Sequence, residues 1–225
     1  MLQRRLPLLL IGWFALFSAS QVVAEFDTPR DPYENFNRKV FACNRVIDRV
    51  LLRPYAKTYA KFVPLFLQSG IHHAFSNLRE VGFTVNHLLQ MNPRRATTSL
   101  ARLFINTIFG LGGLFDVATR WHLPAHPTDF GITLRKWSKK RSTYLVIPIL
   151  GSRSSHAFAA LPIDTLLNVI SWIPPPAVSY GLIAGDMVQK RAELLPSDSV
   201  INEAFDPYIS VRDAYLQNRE QLLNN

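Results

Sequence analysis

The chain has 225 residues, enough for one domain with a substantial core. Hydrophobic residues make up 48% of it and charged residues 18%, which excludes a largely disordered protein, and the single cysteine, Cys43, excludes a disulfide framework and a thiolate zinc site. The formal net charge of +9 favours binding to nucleic acid, anionic lipid headgroups or acidic partners, and solubility alone is the alternative explanation of the charge.

The N-terminus, residues 1–24, has the pattern of a secretory signal. Arg4 and Arg5 precede an apolar run over residues 6–17, and small residues ending at Ala24 form a cleavage site. The run is shorter than the roughly 20 apolar residues of a membrane span. An uncleaved anchor is the alternative. Because no cysteine ends the apolar run, the sequence predicts that the chain carries no acyl anchor.

The next segments have the apolar spacing of amphipathic helices, at residues 33–52, 54–67, 68–90 and 94–109. Asp31 and Pro32 are expected to begin the first helix, and Pro54 is expected to end it. The fourth helix has the clearest apolar face, formed by Leu100, Leu103, Phe104 and Ile108.

The second half alternates polar and apolar stretches. Residues 120–129 read as a polar loop and residues 144–150 as a short strand or extended segment. Residues 161–188 are apolar but are divided by prolines at 174–176, and residues 197–223 form a polar tail that is helical after Asp206. Residues 25–225 are therefore expected to form a single, mainly α domain.

Several apolar segments have the length of helices that lie within one membrane leaflet, at residues 105–118 and 162–184. Trp121, Trp137 and Trp172 stand near the ends of apolar runs, and basic residues flank the runs at Arg120, 135–141 and 190–191, a combination typical of membrane interfaces. The helical core of a soluble protein is the alternative explanation of the same periodicity.

The chemistry of an enzyme is absent from the motifs. No metalloprotease, nucleophile-elbow, phosphate-loop or redox cysteine motif occurs, so we expect no catalytic residue, metal or cofactor. The densest basic run, at residues 135–141, lacks the signature of a nucleic-acid module, and a lipid-headgroup or partner-facing patch is preferred.

Several short motifs, in order along the chain, resemble the MlaA/VacJ family. They are Asp-Pro-Tyr-Glu-Asn-Phe-Asn-Arg at 31–38, Asn-Leu-Arg-Glu at 77–80, Arg-Leu-Phe-Ile-Asn-Thr at 102–107, Gly-Leu-Gly-Gly-Leu-Phe-Asp-Val-Ala at 110–118, Asp-Phe-Gly-Ile-Thr-Leu at 129–134, and Asp-Pro-Tyr with Val-Arg-Asp-Ala-Tyr at 206–215.

The resemblance implies a ring-like domain of short amphipathic helices lying in the periplasmic leaflet of the outer membrane, with a short extended hairpin expected near residues 132–150. It implies a channel that takes mislocalised phospholipid from the outer leaflet to a periplasmic lipid-carrier protein, association with a trimeric porin, and maintenance of lipid asymmetry. A non-transporting envelope scaffold and a lipid hydrolase are the alternatives.

Three groups of residues are the candidate sites. Gly110, Gly112, Gly113 and Asp116 are expected to pack helices at the ring, while the Gly-rich turn also fits a helix C-cap. Asp129, Phe130, Gly131, Tyr144, Pro148 and Gly151 are expected beside the channel. Asp206, Tyr208 and Arg212 are expected to brace the C-terminal tail.

Overall fold

The computed structural model describes residues 31–224, so the predicted signal segment at residues 1–24 lies outside the described residues. The first half contains α1 (Glu34–Ile47), a π-helical turn (Asp48–Leu52), α2 (Arg53–Phe62), α3 (Leu65–Leu89), α4 (Pro93–Ile108) and α5 (Val117–Arg120). The second half contains α6 (Phe130–Ser138), β1 (Tyr144–Ile147), β2 (Gly151–Ser154), α7 (Ser155–Ala159), α8 (Leu161–Leu167), α9 (Pro176–Glu193), α10 (Asp198–Glu203) and α11 (Pro207–Asn224). Short 3₁₀ turns, Val169–Trp172 and Leu195–Ser197, flank α9. The prediction of a mainly α fold is confirmed.

The sequence predicted that the first helix ends at Pro54, and this prediction is wrong. It passes through the π-helical turn into α2, and the Arg53 N–H donates to the Asp48 carbonyl across the widened turn. In a regular helix the ring of Pro54 meets the carbonyl four residues earlier, and the wider turn relieves that clash. The helix ends instead at Phe62, because the next residue, Val63, precedes Pro64 and is extended. At the other end Tyr33, not Asp31, is the N-cap of α1.

Helices α3 and α4 form an antiparallel hairpin over a tight turn, close to the predicted bounds of 68–90 and 94–109. Met91 takes the left-handed conformation with φ 57°. Asn92 then caps α4 by accepting a hydrogen bond from the Arg95 N–H at 3.2 Å, and Pro93 occupies the first turn.

The expected hairpin is present but lies at residues 144–154, not 132–150. Residues 130–138 are the helix α6, which Asp129 caps by accepting from the Ile132 N–H at 2.9 Å. Strand β1 pairs antiparallel with β2, from Tyr144 opposite Ser154 to Ile147 opposite Gly151. The sequence signal missed β2 because Gly-Ser-Arg-Ser lacks apolar alternation.

Two asparagines of α1 satisfy the other edge of β1. The Asn37 side chain accepts from the Val146 N–H at 2.8 Å and donates to the Tyr144 carbonyl at 3.2 Å. Asn44 donates to the Ile147 carbonyl at 2.9 Å and accepts from the Ile149 N–H at 2.8 Å. Asn37 and Asn44 are seven residues apart, about 10.5 Å along the helix, and their partners Tyr144 and Ile147 are three residues apart, about 10 Å along the strand. Because these distances match, both asparagines reach β1 in register. The asparagines thereby take the place of a third strand.

Candidate functional site

The interior of the protein is polar and much of its exterior is apolar. Within residues 31–224, fourteen buried residues are polar or charged and twelve are apolar, and six of the twelve are alanines. Large side chains stay in contact with solvent, among them Phe62, Leu65 and Phe66, each more than 70% exposed. Single exposed apolar residues are ordinary in soluble proteins. Here many apolar side chains are exposed while the interior is polar, which is the reverse of the usual distribution of polar and apolar residues.

Helix α4 shows this reversal most clearly. The apolar face found in the sequence points outward, with Phe104 and Ile108 56% and 65% exposed. The opposite face, with Ser99, Arg102 and Asn106, is buried against α3 and the loop that follows α4. The predicted interfacial tryptophans at 121, 137 and 172 are all exposed. None of the helices within residues 31–224 has the length and hydropathy needed to cross a membrane.

Arg102 is the centre of the buried polar network. Its Nε donates to Glu80 Oε1 at 2.6 Å, and the two side chains are only 5% and 3% exposed. Nη2 donates to both carboxylate oxygens of Asp116 at 3.3 and 3.2 Å, and Nη1 donates to the Thr119 hydroxyl at 3.0 Å and to the Leu123 carbonyl. The five N–H donors of the guanidinium therefore hold α3, α4, α5 and the following loop together.

The glycine-rich segment 110–116 is fixed to this network at its end. Asp116 caps α5 by accepting from the Thr119 N–H at 3.0 Å, and it also accepts from the Asn106 amide at 3.2 Å. Burial by itself raises the pKa of Asp116, but the hydrogen bonds from Thr119 and the charge of Arg102 outweigh it and lower the pKa to about 2. Asp116 is therefore ionised wherever the protein is folded at ordinary pH.

The three glycines of this segment have different surroundings. A Cβ on Gly110 would lie 2.3 Å from the Phe115 carbonyl oxygen, and one on Gly113 would lie 2.7 Å from the Asn77 side chain. Gly113 also needs its φ of 95°. For Gly112, with φ 72°, no atom of residues 31–224 lies within 4 Å of such a Cβ. Among these residues, close packing therefore involves Gly110 and Gly113 but not Gly112.

The hairpin residues and the tail residues, predicted as separate groups, lie in one cluster. The Tyr144 ring stands 6.1 Å from the ring of Tyr208, whose hydroxyl donates to Asp31. Asp206 accepts from Arg38 at 2.8 Å. Burial, followed by the neighbouring Asp31 carboxylate, raises the pKa of Tyr208. The start of α1, the hairpin and the start of α11 are thus bound together.

The remaining predicted residues flank that cluster. Arg212 is buried in α11 and donates to Asp213 at 2.9 Å. Pro148 and Gly151 lie in and after the hairpin turn, where the Leu150 N–H donates to the Pro148 carbonyl at 2.7 Å and Gly151 has φ 74°. Neither touches the Arg102 network through any hydrogen bond found within residues 31–224.

The motif at 129–131 joins α6 to its neighbours. Asp129 pairs with Arg219 of α11, and this pairing overcomes the burial that raises its pKa, so the pKa is lowered overall. The Phe130 N–H donates to Asp164 at 2.9 Å. A Cβ on Gly131 would lie 2.7 Å from the Ala157 Cα, so the glycine permits α6 and α7 to touch.

A second polar surface lies where α3 faces α9. His72 Nδ1 is 2.6 Å from Glu193 Oε1, Arg79 pairs with Asp186, and Gln189 is buried between them. Sequence reasoning assigned no role to these residues, nor to Glu80 and Arg102. Their signal was present as polar residues repeated at helical spacing along α3, α4 and α9.

No group of three or more His, Cys, Asp or Glu side chains suited to a metal ion occurs within the described part of the chain, residues 31–224. The arrangement therefore consists of hydrogen-bonded polar side chains enclosed by apolar surface. In such an interior, hydrogen-bond partners from the protein replace water, so a polar group can be buried there at a low cost in free energy although the surroundings are apolar.

Comparisons with known proteins agree on one family. The family model described as MlaA lipoprotein matches residues 29–222. The intermembrane phospholipid transport system lipoprotein MlaA of Escherichia coli (strain K12) is 32% identical over 224 residues, 98% of this chain and 89% of that protein. Its counterpart from Haemophilus influenzae is 33% identical, over 87% of this chain and 80% of that protein. An uncharacterized protein of Rickettsia felis is 36% identical, over 84% and 76% respectively.

A solved structure is also similar to this chain. It comes from work on the structural basis for maintenance of bacterial outer membrane lipid asymmetry, and it matches with a TM-score of 0.75 and 35% identity, covering 86% of this chain and 98% of that one. The matching family and the named E. coli and H. influenzae relatives are described as lipoproteins, so the prediction that the chain lacks a lipid anchor is not borne out.

Proposed function

The chain belongs to the MlaA lipoprotein family, and on that premise we propose that it moves phospholipid between membranes as the outer-membrane component of a lipid-trafficking system. Its role is to remove mislocalised phospholipid from the outer leaflet and so to maintain outer-membrane lipid asymmetry. The protein sits in the leaflet that faces the periplasm.

The observation that carries this proposal is the reversed polarity of the fold. Apolar side chains such as Phe66 and Phe104 face outward, and ionised or hydrogen-bonding groups such as Arg102 and Glu80 are buried. Acyl chains favour the apolar exterior at roughly 0.8 kcal/mol for each CH₂ kept from water. A headgroup crossing the leaflet favours polar partners, because an unpaired polar group there costs several kcal/mol.

The mechanism we propose is passive. A polar-lined channel, near the Gly110–Asp116 segment and the hairpin, lets the headgroup cross while the acyl chains remain in the membrane. A trimeric porin holds the protein in place, and a soluble periplasmic lipid-carrier protein collects the lipid, so the direction of transport comes from the partners.

The test is deletion of the gene in the bacterium that encodes this chain. Surface aminophospholipid is labelled in intact cells with an amine-reactive reagent that does not cross the outer membrane. Deletion should increase the labelling, and the wild-type gene should reverse the increase. Purified protein should also carry phospholipid detectable by mass spectrometry. Unchanged labelling in the deletion strain would rule out the transport function, and a scaffold without lipid movement would then explain the fold.

The lipid-hydrolase alternative can be tested on the same strains. Ser138 Oγ lies 2.8 Å from His156 Nε2, but His156 Nδ1 contacts the hydroxyl of Ser142, at 2.6 Å, where a catalytic triad has a carboxylate. Burial lowers the pKa of His156. Ser138→Ala should therefore restore normal labelling as well as the wild-type gene does, without any change in free fatty acid or lysophospholipid.

A further inference from the structure

A cavity of about 360 Å³ opens beside the π-helical turn. It lies between the long α1–α2 helix, the hairpin, the end of α9 and the helices α10 and α11. Its charged lining consists of four arginines and two aspartates: Arg45, Arg49, Arg53, Arg191, Asp48 and Asp198. None of these residues belongs to the Arg102 network or to the three predicted groups.

Three of the arginines form a row along one helix. Arg45, Arg49 and Arg53 are spaced four residues apart, and all three line the cavity. Like charges at this spacing repel each other on a helix surface. The row crosses the π-helical turn Asp48–Leu52, and such turns are frequent at functional sites. Such a row requires compensating negative charge, either from carboxylates of the chain or from a ligand.

The carboxylates in the cavity are already occupied. Asp48 and Asp198 both accept from Arg191, at distances from 2.6 to 3.1 Å, and Asp198 also pairs with Arg53 at 3.0 Å. Two arginines are thereby paired to two aspartates. The Nη1 of Arg191 is buried and has no hydrogen-bond partner in the part of the chain that the structure describes.

The other two arginines, Arg45 and Arg49, pair with no carboxylate of residues 31–224. Arg45 donates only to the neutral side chain of Asn202, at 2.9 Å, and Arg49 is exposed, with no hydrogen bond or ion pair found within residues 31–224. The cavity therefore carries a net charge of +2. Guanidinium groups with free donors are well suited to bind the oxygens of a phosphate.

The uncharged lining includes an apolar wall formed by five side chains, Phe41, Val146, Leu194, Ile201 and Val211, and is completed by Asn44, Gly151, Ser152 and Asn202. A site for a bare inorganic ion would be expected to lack such a wall. The volume lies at the low end of the roughly 300–1,000 Å³ of small-molecule sites, so the cavity accommodates the polar end of a lipid and leaves its acyl chains outside.

We propose that this cavity binds the headgroup of an anionic phospholipid, with the phosphodiester held by Arg45 and Arg49 and the glycerol carbons against the apolar wall. The proposal rests on the proposed function, because it names the class of lipid that the transport component prefers. It predicts selectivity for a lipid of net charge −1, such as phosphatidylglycerol, over a zwitterionic one.

The test is titration calorimetry on the full-length protein in a non-ionic detergent. The probes are dihexanoylphosphatidylglycerol, dihexanoylphosphatidylcholine and inorganic phosphate. The variants are Arg45→Gln and Arg49→Gln, and Lys57→Gln is the matched control, because Lys57 is an exposed cation on the same helix that does not line the cavity. Circular dichroism confirms that each variant is folded.

We expect the wild type to bind the phosphatidylglycerol probe about tenfold or more tightly than the phosphatidylcholine probe, and each arginine variant to lose about tenfold of that affinity. Lys57→Gln should bind like the wild type. Equal affinity for both lipids, or unchanged binding in both arginine variants, overturns the proposal. Competition by inorganic phosphate at the affinity of the lipid also overturns it, since the site then recognises a free ion.

Failure of this proposal can be distinguished from failure of the proposed function. If gene deletion leaves surface phospholipid unchanged, the transport function is wrong, whatever the cavity binds. If deletion increases surface phospholipid but the protein shows no charge selectivity in calorimetry, transport stands and only the headgroup proposal is wrong.

Discussion

Replacing Arg102 with methionine removes the centre of the buried polar network while keeping much of the side-chain volume. The change deletes every hydrogen bond that the guanidinium makes to α3, α5 and the following loop. It also leaves the carboxylate of Glu80, 3% exposed, without its cation. We expect Arg102→Met to reduce the free energy of unfolding by about 3–5 kcal/mol, the range for breaking a buried ion pair from one side.

The size of the loss depends on the protonation of Glu80. Burial already raises the pKa of Glu80, opposed by the hydrogen bond and charge of Arg102. Without Arg102 the carboxyl group takes up a proton more readily, which places the loss near the lower end of the range. For the same reason Arg102→Met should destabilise the Glu80→Gln protein less than the wild type, with a coupling of about 1–3 kcal/mol.

Denaturant unfolding in detergent measures these differences, with far-UV circular dichroism for the helices and tryptophan fluorescence for Trp121, whose ring lies 5.4 Å from that of Phe109 beside the network. Arg94→Met is the control, because Arg94 is an exposed arginine at the start of the same helix. Its effect should stay within about 0.5 kcal/mol. If the loss in Arg102→Met equals that of the control, or if the double-mutant cycle shows no coupling, Arg102 does not organise the interior.

Three further predictions concern the turn, the pH dependence and the membrane surface. Gly110→Ala should lower the free energy of unfolding by about 3 kcal/mol, because its Cβ would lie 2.3 and 2.4 Å from two carbonyl oxygens. Gly112→Ala should lower it by only about 1 kcal/mol, the cost of an alanine at φ 72°. A Gly112→Ala protein that unfolds at a lower temperature than Gly110→Ala would contradict this. Burial lowers the pKa of His87 in the folded protein, whereas in the unfolded chain His87 titrates near pH 6.5. As the pH falls, the unfolded chain therefore binds the proton first. The contribution of His87 to the free energy of unfolding should be complete above about pH 6.5 and decrease below it. The unfolding midpoint at pH 8 and pH 5 tests this, and an equal pH dependence in His87→Gln would exclude His87 as a contributor. Phe104→Glu should weaken vesicle binding about tenfold or more in a flotation assay. The control is Thr98→Glu, on another side of the same helix. Equal binding by both variants would show that the face of Phe104 does not enter the membrane.

The secondary structure was predictable where periodicity and capping residues agree. Helix α4, with Asn92 as its cap, appeared within one residue of the predicted bounds. The continuation of the first helix through Pro54 was not predictable, because a π-helical turn that accommodates a proline has no local sequence signal. Strand β2 was missed because its pairing with β1 is long-range and does not show in an alternating pattern.

The roles of the candidate residues stay predictions, and the structure adds which neighbours each residue has. Gly110, Gly113 and Gly131 do stand where chains approach closely, as glycines in such motifs suggest. Gly112 could not be told from Gly113 by sequence, since only the position of Asn77 makes one crowded and the other open. The clustering of Tyr144 with Tyr208 joins residues 64 positions apart, and no spacing rule reaches that far.

By itself the sequence determined that this protein is mainly helical, carries an excess of positive charge and is rich in leaflet-length amphipathic segments. These properties depend on local periodicity and composition, which the chain carries without folding. Only the tertiary structure decided which face of each helix points inward. A helical pattern separates apolar from polar residues but does not say which side meets the protein, and here Arg102 and Glu80 lie inside while Phe104 and Ile108 lie outside. Because the apolar face of such a helix points outward, the helix forms part of a surface suited to lipid.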